Sequence, residues 1–259
     1  MTRVLITGAS MGIGRALAVA WAARKATVFL SARSEGALTD VARDVASAGG
    51  RPIVVPADIT SEGDRVRLVE RVREGGGLDV LVNNAGRGFY SPTLKIDLGA
   101  MRDLFELNVF APLRLVQLAG PMLEASRGTI VMLSSIAGVV AAPRYGAYAA
   151  SKFALEGLAM AMRSELAEKG IRVVVIRPGP VDTKFRRNAS RAEGEVGYDR
   201  PDPNAQSAEA VARQTLRAVD RSRAVTETSN FVRLASTAQR LVPPVLRLAL
   251  RRMASRSSS

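Results

Sequence analysis

The chain has no cysteine and no histidine. The first absence excludes disulfides and thiolate metal sites. The second excludes histidine-based triads and the usual zinc hydrolase ligand sets. Aromatic residues make up only 5% of the chain, and no aromatic-interleaved basic stripe accompanies the net charge of +13. The basic residues are scattered and nearly all Arg, so the charge does not argue for nucleic acid as a partner. No apolar run is long enough to span a bilayer. Arg3 to Thr7 already reads as a strand, so no leader is expected and the cytoplasm is the expected compartment.

What is present suits one large globular unit. The 259 residues are 47% hydrophobic and 24% charged, enough to bury a core. A single domain is expected over residues 1–240, followed by a basic amphipathic tail over 241–259.

The most informative stretch is Ser134-Ser135, then Tyr148 and Lys152. The apolar run Thr129 to Leu133 reads as a buried parallel strand that ends at the two serines. A loop with Gly138 and Pro143 follows, then a long helical pattern opening at Tyr148. Tyr148 and Lys152 are four apart and share a helix face. An ammonium beside a phenol favours the phenolate, and a serine hydroxyl at the strand end could fix a carbonyl against it. The same spacing also occurs in ordinary helices, so the rest of the chain decides.

The N-terminal strand runs into Gly8-Ala9-Ser10-Met11-Gly12-Ile13-Gly14 and then a helix, Arg15 to Arg24. Strand, glycine turn and helix N-terminus together make a phosphate site. The second strand, Thr27 to Ser31, ends without the acid that would bond adenosine ribose hydroxyls; Arg33 stands there instead. An Arg at that edge suits a 2′-phosphate, which favours NADP(H) over NAD(H), the alternative being a solvated surface Arg. A third strand is expected over Pro52 to Ala57, followed by Asp58-Ile59. Asp58 either bonds the adenine amine or, like Ser61, caps the helix Ser61 to Glu74. A fourth strand, Leu78 to Val82, leads into Asn83-Asn84-Ala85-Gly86. One helical region is expected from Leu98 to Leu123, with Asn108 among apolar residues. A sixth strand, Ile171 to Ile176, precedes Pro178-Gly179-Pro180-Val181-Asp182-Thr183.

Strands and helices alternate throughout. The fold class is therefore α/β: a Rossmann-type doubly wound parallel sheet of about seven strands with helices on both faces. Every candidate residue follows a strand or opens the next helix, the edge where such sheets bind ligands.

These motifs, taken in order, resemble the short-chain dehydrogenase/reductase family of the short, single-domain type. The resemblance covers residues 3 to 183. It rests on Thr7-Gly8-x3-Gly12-x-Gly14, Asn83-Asn84-Ala85-Gly86, Asn108, Ser135, Tyr148-x3-Lys152 and Pro178-Gly179. It implies hydride transfer between a nicotinamide and a carbonyl or alcohol. Tyr148 would be the general acid/base, and Lys152 would lower its pKa and bond the nicotinamide ribose. Ser135 would orient the carbonyl, and Asn108 would hold a water linking Lys152 to solvent. Residues Gly8, Ser10, Met11, Gly12, Ile13, Gly14, Arg33, Asp58, Ile59, Asn84, Ala85, Gly86, Tyr148, Lys152, Pro178, Gly179, Val181 and Thr183 are the expected cofactor contacts. Phe89, Val139 and Tyr145, beside Ser135 and Tyr148, are expected to line the substrate pocket, with Tyr90, Val140 and Arg144 nearby; the substrate would be apolar.

Two departures matter. Met11 stands where many NADP-preferring members carry a basic residue, and the chain lacks the Gly-Gly ending common in tetramers. A homodimer through the helices carrying Asn108 and Tyr148 is expected, a tetramer being the alternative. The competing functions are an NAD(H)-using alcohol or steroid-type dehydrogenase, a sugar-nucleotide epimerase or dehydratase, and a dinucleotide-binding protein without catalysis. Residues 184–205 read as a lid over the substrate. In the tail, Leu246, Ala249, Leu250 and Met253 form an apolar stripe, with Arg247 and Arg251 on another face. Such a helix lies on an anionic membrane or packs on the protein; the shortness of the stripe favours packing.

Overall fold

Short runs of Val, Ile and Leu set the sheet, and turns rich in glycine and proline separate them. The structure, a computed structural model, describes residues 1–191, 202 and 204–256, with 249 and 251–256 by backbone alone. In chain order it comprises β1 (Arg3–Thr7), α1 (Gly12–Ala22), β2 (Thr27–Ser31), α2 (Glu35–Ser47), β3 (Arg51–Val54), α3 (Glu62–Glu74), β4 (Val80–Asn83) and the short β5 (Phe89–Tyr90). Next come α4 (Leu98–Phe105), a π-helical turn (Glu106–Phe110), α5 (Ala111–Ala125), β6 (Thr129–Leu133), α6 (Gly146–Glu165), β7 (Arg172–Arg177) and the short β8 (Ser190–Arg191). The chain continues through α7 (Ala208–Asp220), β9 (Val225–Glu227), α8 (Asn230–Leu241) and α9 (Pro243–Arg256).

Seven strands form one sheet in the order β3-β2-β1-β4-β6-β7-β9, and every pair is parallel. Residues of β2, β4 and β6 are buried throughout, as strands covered on both faces must be. On one face α1, α2 and α7 supply Leu17, Trp21, Leu38, Val41, Val211 and Leu216 to the core. On the other, α3, α5 and α6 supply Leu68, Val72, Leu115, Leu123, Leu155 and Met162. The order of the strands reverses between β1 and β4, so their C-terminal ends open the crevice that defines a ligand site in such sheets.

Three expected elements differ. The third strand runs Arg51–Val54 rather than from Pro52 to Ala57, although the Val55 and Ala57 N–H groups still donate to the carbonyls of Leu30 and Ala32. The region expected as one helix from Leu98 to Leu123 is split by the π turn at Glu106–Phe110. Pro112 cannot donate to the carbonyl of Asn108, and the wider turn absorbs that missing bond. The helix bearing Tyr148 opens at Gly146, so Tyr148 lies within its first turn. The pairing of β5 with β8 was not expected from either sequence. It ties the start of the 184–205 segment to the loop after β4; that segment lies partly outside the described residues.

Side chains cap most helices. Ser34, Ser61, Asp97, Ser207 and Ser229 each accept a bond from a first-turn N–H. α1, like α5 and α6, has no side-chain cap: its N-cap is Met11, and its first turn holds no acid.

Candidate active site

The glycine turn after β1 is held by β4. Asn84 Nδ2 donates to the carbonyls of Thr7 at 2.8 Å and Gly8 at 3.1 Å. Thr7 Oγ1 in turn accepts from the N–H groups of Asn84 and Ala85, each at 3.1 Å. Gly8 and Gly12 adopt φ of 63° and 54°, a region side chains rarely enter. A Cβ on Gly14 would collide with the Gly8 carbonyl and stand 2.7 Å from Asn84 Nδ2. Asn84, expected beside a ribose, is thus a clamp on the glycine turn.

The uncapped first turn of α1 leaves its N–H groups and dipole for an anion. Arg33 is exposed at the end of β2 and makes no ion pair among the described residues. Thr183 covers the turn, its Cγ2 lying 3.1 Å from where a Gly12 Cβ would be. Val181 pairs with Gln206 in an isolated parallel bridge, and Pro178 accepts from the Ile136 N–H. A Cβ on Gly179 would meet Val232 at 2.8 Å. Ser10 and Ile13 are half-buried and Met11 is exposed at this same turn. The residues present therefore fit a dinucleotide: an uncapped anion site, a free cation at the β2 edge and a glycine turn that admits close backbone approach. Of the adenine-side candidates, Ile59 is buried in the core. Asp58 bonds the N–H and hydroxyl of Thr60 through Oδ1, while Ser61 supplies the cap of α3.

Ser135, Tyr148 and Lys152 converge as the spacing required. Tyr148 hydrogen-bonds Ser135, and Ser135 Oγ also accepts from the Ala137 N–H at 3.1 Å. Lys152 Nζ donates to the Leu133 carbonyl at 2.8 Å and lies 5.9 Å from the Tyr148 ring centre. Burial pushes the Tyr148 phenol up to about 12, against the opposing Ser135 bond. Burial likewise brings Lys152 down to about 8, partly offset by Glu156. In this arrangement burial sets the direction of the Tyr148 shift, while the Lys152 ammonium is engaged with the Leu133 carbonyl. Burial thus holds the phenol in its protonated form.

Asn108 sits in the π turn. Its Oδ1 accepts from the Arg87 N–H, and its Nδ2 donates to the Arg87 carbonyl and to Ser151 Oγ, all at 3.0 Å. Ser151 Oγ donates to the Tyr148 carbonyl at 2.7 Å. The amide expected to hold a water is thus bonded to protein at both ends. It still flanks Gly86 together with Lys152: a Cβ there would lie 3.1 Å from Asn108 Oδ1 and 3.7 Å from Lys152 Nζ.

Aromatic rings surround Tyr148. Phe185 lies 5.9 Å from it and Tyr145 6.5 Å, centre to centre, and Tyr90 lies 5.3 Å from Tyr145. The Arg144 guanidinium stands over Tyr90. Phe89, expected to line the pocket, is 3% exposed and packs behind Tyr148 with Leu104 and Ala147. Val140 is buried, while Val139 borders a cavity of about 260 Å³ with Arg177, Glu227 and Ser236. Three contributors escaped the sequence reading. Phe185 follows the last motif with no pattern of its own. Ser151 and Glu156 had a signal, since they lie one turn from Tyr148 and Lys152 on α6. The Glu156 carboxylate takes two bonds at 2.9 Å from Arg177. Among the described residues no group of acids could hold a metal ion.

Known proteins are similar to this chain in sequence and fold. A family model described as short chain dehydrogenase matches residues 2–194. Short-chain dehydrogenase ptmH of Penicillium ochrochloron is 38% identical over 198 residues, covering 75% of this chain and 71% of that protein. Dehydrogenase/reductase SDR family member 7B of Mus musculus is 33% identical over 265 residues, covering 98% of this chain and 80% of that one. Among solved structures, a short chain dehydrogenase from Burkholderia cenocepacia in complex with NADP superposes with a TM-score of 0.83 at 26% identity, over 96% of this chain and 97% of that one. With the strand order, the glycine turn and the Ser135–Tyr148–Lys152 cluster on one sheet edge, these likenesses place the chain in the short-chain dehydrogenase/reductase family.

Proposed function

We propose that this protein is an NADP(H)-dependent oxidoreductase that interconverts a carbonyl and an alcohol on an apolar substrate, with Tyr148 as general acid/base. The observation that carries the reading is the Tyr148–Ser135 hydrogen bond, set beside the uncapped start of α1 at the reversal point of the sheet. The bound nicotinamide would supply or accept the hydride. Ser135 holds the substrate oxygen against Tyr148. The phenol, kept protonated by burial, donates its proton to that oxygen in reduction and takes it back in oxidation. Lys152, buried and close to Gly86, is placed to bond a ribose hydroxyl and to steady charge on the phenol. The rings of Tyr90, Tyr145 and Phe185 favour an apolar or aromatic-bearing ketone.

Arg33 supports NADP(H) over NAD(H), because an unpaired guanidinium at the β2 edge matches a phosphate and no acid competes for the ribose. The NADP-bound Burkholderia cenocepacia relative is consistent with this. The working form is a homodimer built on the π turn, α5 and α6, where Phe110, Phe153 and Met160 are exposed apolar residues. Residues 1–240 act as one domain, and the absence of cysteine suits the cytoplasm. The test is a panel of ketones followed by NADPH absorbance. Turnover that disappears in Tyr148→Phe is expected; turnover that survives it would refute the mechanism.

A further inference from the structure

The structure exposes apolar residues on α8 and α9 that the sequence pattern did not single out. Leu246 and Leu250, members of the expected stripe, are half-buried, and α9 packs on α8. That part of the tail therefore turns inward. A different set faces out: Phe231, Leu234, Leu241, Val242, Val245 and Leu248. Leu234, Leu241 and Val245 are 72%, 74% and 64% exposed, well beyond what isolated surface leucines require.

The outward set is ordered. On α8, Val232 and Ser236 are buried against the body of the protein. Phe231, Leu234 and Leu241 fall within about a quarter-turn of one another on the opposite side. Val245 and Leu248, three apart on α9, repeat the pattern. Arg233, Arg240 and Arg247 are exposed on the same two helices. From Thr228 to Arg256 the chain carries six arginines and no acid. An apolar, basic segment without carboxylates of its own is complementary to an anionic lipid bilayer. Among the described residues no helix is long and apolar enough to cross a membrane, so contact would be peripheral. The surface also starts at the active site, since Phe231 Cδ1 lies 3.7 Å from where a Gly179 Cβ would be.

We propose that the outer face of α8 and α9 docks the protein on an anionic membrane surface, with Phe231, Leu234, Leu241, Val245 and Leu248 entering the interface and the arginines meeting lipid phosphates. This does not depend on the catalytic reading.

The test is co-sedimentation of the full chain with phosphatidylcholine vesicles, with and without about one-third phosphatidylglycerol. Binding is expected only when phosphatidylglycerol is present. The variant L234E/V245E changes two exposed positions and should keep the parent's melting temperature and oligomeric state while its partition falls at least about tenfold. Arg240→Gln with Arg247→Gln should weaken binding and reduce its salt dependence. No sedimentation of the parent, or undiminished binding of L234E/V245E, would overturn the proposal. Equal binding to pure phosphatidylcholine would overturn the role of charge. A smaller oligomer in L234E/V245E without vesicles would reassign the face to contact between copies of this chain.

Discussion

Asn108 holds Arg87 by both backbone atoms: its Oδ1 accepts from the Arg87 N–H and its Nδ2 donates to the Arg87 carbonyl, each at 3.0 Å. The π turn makes this possible, since it frees a side chain in mid-helix to reach the loop after β4. The loop between Gly86 and Gly88, which flanks Lys152, is thereby fixed to the helix layer. Replacing Asn108 with Ala leaves the Arg87 N–H, its carbonyl and Ser151 short of a partner. Urea unfolding should show a loss of about 2–4 kcal/mol, and a loss below about 0.5 kcal/mol would mean that solvent replaces these bonds freely.

Tyr148→Phe removes the proposed proton donor but keeps the ring that packs against Phe89, Ala147 and Ala149. Turnover should fall by about 10³-fold or more, while NADPH affinity measured by calorimetry stays within about threefold of the parent. A parallel loss of affinity would point to a misfolded site rather than to missing chemistry.

Arg33 is exposed at the end of β2 and lacks an ion-pair partner among the described residues. Removing it should therefore cost little stability. Arg33→Ala should weaken NADPH binding by about 10- to 100-fold and leave NADH binding unchanged. Equal effects on both dinucleotides would make Arg33 a surface residue.

Gly14 and Gly36 make opposite forecasts. A Cβ at Gly14 collides with Gly8, whereas one at Gly36 meets nothing within 4 Å. Gly14→Ala should abolish dinucleotide binding. Gly36→Ala, in the first turn of α2, should raise stability by about 0.5–1 kcal/mol. Calorimetry and thermal melts of the two variants check the pair, and tolerance of Gly14→Ala would show that the turn can move.

Lys152 lies at about 8 in the folded chain against 10.5 unfolded. Between those values the unfolded chain binds more protons, so stability rises with pH. The cost of burying the ammonium is fully present below about 8 and gone above 10.5. Lys152→Met removes that group. Relative to the variant, the parent should therefore gain stability as pH rises through this window. Urea melts at several pH values test it, and a flat difference would place the ammonium in contact with water.

The sequence by itself determined the sheet and the edge where the site lies. Runs such as Val-Leu-Ile and Ile-Val-Met-Leu, short and bounded by turn residues, read as buried strands, and glycines, serines and Asn-Asn-Ala-Gly recur at their C-terminal ends, the edge where such sheets bind ligands. The spacing of Tyr148 and Lys152 fixed their shared face, since helical periodicity is a local property. Tertiary structure decided what depends on neighbours distant in the chain. Burial, not the adjacent cation, governs the Tyr148 phenol, because desolvation is set by everything packed around a group. Asn84 clamps Gly8 and Asn108 clamps Arg87, because each bond joins elements that only the assembled sheet brings together. The outward turn of Leu234, Leu241 and Val245 was hidden for the same reason: an amphipathic pattern gives a helix two faces, and only packing chooses which one meets the solvent.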